Sequence, residues 1–391
     1  MILYKQGTTL QYAASMASTW VWAPAIYVSA FTGYYYGLAG ALAFTVPNIL
    51  ALILFGYVSS YAIQNLKHQG FTFNDILESK VNQSQIQIHT AVSLVILVCS
   101  CMVQIIGMHL LLSNWFEIPK IVSALLISVV SLLIVWKSGI KGSIISDTWK
   151  YFITVIAGII LLGSLLLDDY DLSKIKIYDP IDNSYLIPFA ITGTIGLLSA
   201  PYVDQTFWQR AFSANNRKMF DLSAILFAVI PVAFCLIGMI CATNGVQNGW
   251  QISSQFNGIL GITLGIAVFC ALLSTLDSNL CALQSFVVTR KWGNDRLFMI
   301  LLLVVASLLF TFIDITIAKL WLVYGTIRTS LAVPTLLIIF NKFDKSRLLY
   351  ATILSVLVSS LGYMTLSYLQ IPNAWVCTVL GLVIPLLGYR K

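Results

Sequence analysis

The sequence predicts an all-α polytopic membrane protein with about twelve transmembrane helices. Three observations predict it. The 391 residues are 59% hydrophobic and only 9% charged, with a mean hydropathy of +0.88, against about 25% charged residues in a soluble chain. Apolar runs long enough to cross a bilayer, about 20 residues each, recur along the whole length. The basic residues then fall in alternate loops, as the positive-inside rule requires. A water-soluble fold could not bury this much apolar surface. The pI near 9.0 therefore reflects loop charge at a membrane surface, and no nucleic-acid partner is expected.

The spans run, in order, over about 9–36, 38–66, 85–113, 119–136, 142–167, 186–212, 221–243, 257–289, 296–313, 315–341, 347–369 and 372–389. They form one transporter-like domain over 1–391. One set of loops holds Lys67 and Lys80; Lys137 and Lys141; Arg210, Arg217 and Lys218; Arg290, Lys291 and Arg296; Lys342, Lys345 and Arg347. With Lys5, Arg390 and Lys391, that places 16 of the 22 basic residues on one side. The opposite loop over 168–185 is acidic, with Asp168, Asp169, Asp171, Asp179 and Asp182. Both termini are thus expected in the cytoplasm, in an inner or plasma membrane. The first span follows the polar stretch Lys5 to Thr9 directly, so no cleavable signal peptide is expected.

Three spans are irregular. The first carries small and polar residues and then Pro24. The sixth carries Gly193, Gly196, Ser199 and Pro201, then the polar end Asp204-Gln-Thr-Phe-Trp-Gln-Arg210. The tenth carries Gly325, Arg328 and Pro334. Interrupted helices in corresponding places of two halves point to a transporter's binding site. Spans one and six stand five apart, which fits two inverted five-helix repeats over roughly 9–167 and 186–341, with additional helices over 347–389.

The eighth span holds Ala271-Leu-Leu-Ser-Thr-Leu-Asp-Ser278. Ser274, Asp277 and Ser278 share one helical face by their i, i+3, i+4 spacing. A carboxylate at membrane depth needs a partner, an ion or water. Hydroxyls and a carboxylate are hard oxygen ligands suited to a small alkali cation. The seven cysteines show no metal or redox spacing and read as packing residues. The three histidines are scattered, so neither a metal site nor a proton relay follows from them.

Three stretches together resemble the sodium/solute symporter family, which includes the sodium–glucose and sodium–proline carriers. They are Gly139-Ile-Lys-Gly-Ser-Ile-Ile-Ser-Asp147, Asp204-Gln-Thr-Phe-Trp-Gln-Arg210 and Ala271 to Ser278. The resemblance covers nearly the whole chain. It implies a LeuT-type bundle of five plus five inverted helices with two extra C-terminal helices. It implies sodium as coupling ion and no organic cofactor. Its main sodium site maps onto the carbonyls of Ala13, Met16 and Ala271 and the hydroxyls of Ser274 and Thr275. A second sodium or coupling site maps onto Asp147, Asp277 and Ser278, with Ser274 shared. Lys150 departs from the pattern, since family members often have Gln there, and an ammonium competes with sodium. Asp147 also pairs with Lys150 at i+3. The chain begins almost at the first core helix, where the family usually has one more helix.

Trp20 stands where sodium–galactose carriers place a sugar-binding glutamine, so sugar transport is not expected. The segment Ser18-Thr-Trp-Val-Trp-Ala-Pro-Ala, followed by Tyr34-Tyr-Tyr-Gly-Leu-Ala-Gly40, resembles the urea-permease branch. Rings with one polar handle suit a small planar or cationic solute. Tyr34 to Tyr36 are expected in the interfacial aromatic belt. Candidate solute residues are Thr19, Trp20, Leu197, Ala200, Tyr202, Tyr324 and Arg328. Arg328 has three expected roles: a substrate carboxylate, Asp314, or a helix end.

The expected function is sodium-coupled import of a small polar organic solute by alternating access. A proton-coupled or urea-type permease of the same fold and a transport-inactive sensor are the alternatives. No nucleophile–base cluster points to an enzyme. No ATP-binding loop is present, and the last span ends at Arg390-Lys391, leaving no output domain. The expected partners are a small-molecule solute and the lipid bilayer.

Overall fold

The computed structural model describes residues 3–65, 72–167, 183–214, 216–243, 252–369, 371 and 373–390. Lys67, His68, the acidic residues from Asp168 to Asp182 and Lys391 lie outside the described residues. Helices account for nearly everything described. They are α1 Thr9–Trp20, α2 Ala23–Asn65, α3 Phe73–Glu78, α4 Gln83–Phe116, α5 Lys120–Leu167, α6 Asn183–Val203, α7 Gln205–Ala214, α8 Arg217–Thr243, α9 Gly258–Arg290, α10 Asp295–Phe312, α11 Ile317–Ile339, α12 Lys345–Val356, α13 Tyr363–Tyr368 and α14 Trp375–Val383.

Two of these are twice the length of a span: α2 has 43 residues and α5 has 48. Each is a hairpin. Gly37 sits at φ 58° and ψ −142°, and Gly139 at φ 54° and ψ −147°, a conformation open essentially to glycine alone. A Cβ placed on Gly40 would collide with the carbonyl oxygen of Thr32, eight residues earlier. A straight helix separates such residues by about 12 Å, so the chain turns back at Gly37. Around Gly139, a Cβ on Gly142 would lie 3.9 Å from the Ile134 carbonyl oxygen, the same eight-residue return. Counting both hairpins, the long apolar helices and the shorter apolar segments Phe189–Val203 and Trp375–Gly388 give the twelve spans of a LeuT-type five-plus-five bundle with two helices added.

Helix starts follow local chemistry. Thr8 and Gln11 form a capping box at α1, Asn82 caps α4, Thr316 caps α11 and Asp344 caps α12, each a side-chain oxygen taking an orphan N–H. Span eleven runs from α12 to α13 through a π-helical turn, Leu357–Gly362. Near the chain end, the Asp344 N–H donates to the Gly388 carbonyl at 3.0 Å and the Arg390 N–H to the Lys342 carbonyl at 3.1 Å.

Burial separates the centre of the bundle from its rim. In α11, 78% of the apolar window is buried, against 33% in α5 and in α10. The exposed apolar side chains of α5 and α10, such as Leu125, Leu133, Ile156, Ile159, Leu301 and Phe312, form a lipid-facing surface. Helix α9 lies in the interior, packed against α5, α4, α10, α1 and α7. Helices α6 and α11 cross closely, with a Cβ on Gly196 falling 3.1 Å from the Cα of Gly325. That crossing is the reason both irregular spans carry glycine there.

Candidate functional site

Spans one and six are both broken, each for a local reason. Between α1 and α2, Val21 leaves helical geometry at ψ 80°, and Pro24 starts the next helix, where its missing N–H costs nothing. The orphan N–H of Ala23 is taken by the side chain of Gln104 on α4, at 2.9 Å. Between α6 and α7, Asp204 is the break. Its Oδ1 accepts from the Thr206 N–H at 3.1 Å and from the Thr206 hydroxyl at 2.8 Å, which caps α7.

Both breaks meet on Arg328 of α11. Its Nη2 donates to Asp204 Oδ2 at 3.0 Å. Its guanidinium lies 4.2 Å from the Tyr324 ring, 5.4 Å from Trp22 and 5.9 Å from Trp20. Trp20 and Trp22 stack at 5.6 Å, Tyr324 meets Trp22 edge-on at 5.3 Å, and Phe207 meets Trp20 edge-on at 4.9 Å. All of these side chains are buried. Yet Trp20 Nε1, Trp22 Nε1, the Tyr324 hydroxyl and Arg328 Nε have no hydrogen-bond partner among the described residues. Buried polar groups are normally paired, and these four have hydrogen-bonding capacity left to offer.

Of the three roles expected for Arg328, the pairing with Asp314 is not found. Asp314 instead meets Lys120 at 3.3 Å, with Asp314 exposed. Arg328 on α11 is held by the break in span six. Tyr36, expected at the membrane boundary, is buried against Phe189 at 6.2 Å. Leu197 and Ala200 are buried on α6. Tyr202 contacts Phe55 at 5.8 Å, and no described contact joins it to Arg328.

A second polar cluster surrounds α9. Asp147 of α5 is fully buried and accepts from Ser274 at 2.7 Å, Ser15 at 2.9 Å and Arg210 Nη2 at 2.9 Å. Asp277 accepts from Lys150 Nζ at 2.5 Å, and Ser143 Oγ, 3.3 Å from an oxygen of each aspartate, has one proton to give to either. Lys150 Nζ also lies 3.6 Å from Asp147. Ser278 receives Arg210 Nη2 at 2.5 Å, donates to the Ser274 carbonyl at 2.7 Å, and sits 3.1 Å from the Thr19 hydroxyl. Arg210 was expected among the loop charges. It is instead fully buried, because α7 carries it inward onto Asp147.

The structure groups Ser274, Asp277 and Ser278, which share a helical face by spacing, with Asp147 of α5 and Thr19 of α1. Thr275 sits beside them: its hydroxyl donates to the Thr19 carbonyl at 3.0 Å and lies 3.4 Å from the Ala271 carbonyl. Ala13 and Met16 are buried in the regular part of α1, two turns and one turn before the break. The α1 carbonyl that faces Thr275 belongs to Thr19. Trp22, Asp204, Gln104 and Arg210 complete the two clusters. The polar motif around Asp204 and Arg210 was visible in the sequence, but their partners were not.

Comparison with solved structures shows the same fold. The chain is similar to a Na⁺-coupled sialic acid symporter in a substrate-bound outward-open state with a novel Na⁺ site. The TM-score is 0.76 at 16% identity, covering 98% of this chain and 89% of that one. It is similar to MHP1, a nucleobase-cation-symport-1 family transporter closed around bromovinylhydantoin, with TM-score 0.64, 15% identity and coverage of 97% and 90%. It is also similar to MhsT in complex with L-phenylalanine, with TM-score 0.62, 12% identity and coverage of 97% and 99%. No family model matches the sequence. No curated protein matches it either. At these identities the likeness establishes the LeuT-type fold.

Proposed function

We propose that the protein is a sodium-coupled secondary symporter that imports a small polar organic solute by alternating access. The observation that carries this is the meeting of both helix breaks on Arg328, beside a buried cluster of polar groups without partners among the described residues. Broken helices free backbone groups at the centre of a bundle for ions and solutes. The repeats would be 9–167 and 186–341, with one break in each. The likeness in fold to two cation-coupled symporters supports the same reading.

The solute would lie against Trp20, Trp22, Tyr324 and Arg328. The groups there without a partner among the described residues are two indole N–H groups, a guanidinium N–H and a phenol. They suit a compact solute with a flat face and hydrogen-bond acceptors. Because Asp204 already balances the charge of Arg328, the solute need not be an anion.

Sodium would be held by the carbonyls of Ala271 and Thr19 and the hydroxyls of Thr275 and Ser274. This donor set fits the ion. Two of these oxygens, the carbonyls of Thr19 and Ala271 on two helices, lie 3.0 and 3.4 Å from Thr275 Oγ1. The Ser274 hydroxyl gives its proton to Asp147, which leaves its lone pairs for a cation. Bound there, sodium would tie the α1 break to α9. Ala13 and Met16 stay in the proposal as the carbonyls that a further unwinding of α1 would add.

The test is uptake into proteoliposomes, screening small acceptor-bearing solutes under an inward sodium gradient. A solute that accumulates with the sodium gradient and not with an equal potassium gradient supports the proposal. Accumulation driven equally by both overturns sodium coupling.

A further inference from the structure

Two carboxylates buried at membrane depth must be neutralised by something. Here the neutralising charges are the chain's own. Asp147 and Asp277 are both fully buried, and they approach each other closely enough that the Ser143 hydroxyl reaches each at 3.3 Å. Lys150 Nζ sits between them, 2.5 Å from Asp277 Oδ2 and 3.6 Å from Asp147 Oδ1. It bridges the two carboxylates as an alkali ion would. Arg210 supplies the second positive charge on Asp147 Oδ2, Ser15 and Ser278. Four helices contribute: α1, α5, α7 and α9. Two acids and two bases leave the cluster neutral, and each carboxylate oxygen has a hydrogen-bond or ion-pair partner.

We infer that Lys150 is a built-in cation. Its ammonium, backed by Arg210, occupies an oxygen-rich site on α5 and α9 that would otherwise hold a second alkali ion, so the chain binds at most one coupling ion. The oxygens are hard donors of the type that small alkali cations take. Like charges this close in a low-dielectric interior cannot stay unpaired. Removing the ammonium would therefore leave a ready cation site, with Asp147 and Asp277 facing the space it vacates. This inference rests on the proposed sodium site at Thr275 only for the number of ions bound by the parent.

The experiment is equilibrium binding of radioactive sodium to the purified protein, with the parent, Lys150→Ala, Lys150→Gln and the charge-balanced pair Lys150→Ala/Asp277→Asn. The expected result is one sodium per chain in the parent and one more in Lys150→Ala and Lys150→Gln, with the extra ion lost in the pair. The single variants should also melt higher in sodium than in equal potassium, by a larger margin than the parent shows. That margin remains readable if Lys150→Ala folds only in sodium. A parent that binds two sodium ions overturns the inference. So does a folded Lys150→Gln that binds no more sodium than the parent. If the parent binds none and the variants bind one, the built-in cation stands and the sodium site at Thr275 falls.

Discussion

Asp204 holds Arg328 with one carboxylate oxygen and caps α7 with the other: Oδ2 accepts from Nη2 at 3.0 Å, and Oδ1 from the Thr206 N–H at 3.1 Å. One residue thus fixes the break in span six and orients the guanidinium beside Trp22 and Tyr324. Breaking a buried ion pair by removing one partner costs about 3–5 kcal/mol, and losing a cap costs about 1 kcal/mol more. Asp204→Ala should lose both contributions and Asp204→Asn mainly the first. Unfolding in detergent should rank parent, Asn and Ala in falling stability. Equal losses in the two variants would show that the cap contributes nothing.

The two hairpins depend on glycine. Gly37→Ala and Gly139→Ala force an L residue to φ 58° and φ 54°, at about 1–3 kcal/mol each. Gly163 of α5 provides the control, since a Cβ there meets nothing within 4 Å; Gly163→Ala should be neutral or stabilising by up to about 1 kcal/mol. Thermal unfolding of the three variants checks this. A Gly37→Ala variant as stable as Gly163→Ala would rule out the turn.

Trp20 and Trp22 present indole N–H groups that have no partner among the described residues. Trp20→Phe and Trp22→Phe keep a stacking ring and remove the donor. Solute affinity should fall about tenfold for one hydrogen bond worth about 1.4 kcal/mol, with sodium binding unchanged. Solute and sodium titrations of the same preparations separate the two. Equal weakening of both ligands would instead make these rings packing elements.

Gln104 completes the break in span one by accepting from the Ala23 N–H. Gln104→Leu leaves that buried N–H unpaired, at about 1–3 kcal/mol. Gln104→Glu retains an acceptor. Unfolding should place the Glu variant nearer the parent than the Leu variant. The reverse order would remove Gln104 from the account.

The spans were legible because a bilayer imposes length and apolarity on each one, and Pro24 and the polar run from Asp204 marked the breaks. The grouping of Ser274, Asp277 and Ser278 followed from helical spacing alone, and Lys150 beside Asp147 from the same i+3 rule. Contacts between distant segments were not legible. Arg328 and Asp204 are 124 residues apart, and Lys150 and Asp277 are 127 apart. No periodicity links such pairs. The carbonyls of Ala13 and Met16 came from the family resemblance, and residue spacing gave no sign that the Thr19 carbonyl accepts from Thr275 across 256 residues. Arg210 read as a loop charge because a short second half-helix after the break looks like the end of a span.

The proposed sodium ion between the α1 break and Thr275 is checked by thermal unfolding of the purified protein in sodium against equal potassium. At about 100 times its dissociation constant, a bound ion adds about 2.7 kcal/mol to the folded state. The expected result is a sodium-specific rise in Tm that Thr275→Ala and Ser274→Ala reduce or abolish. Identical melting of the parent in the two salts at every concentration would contradict it.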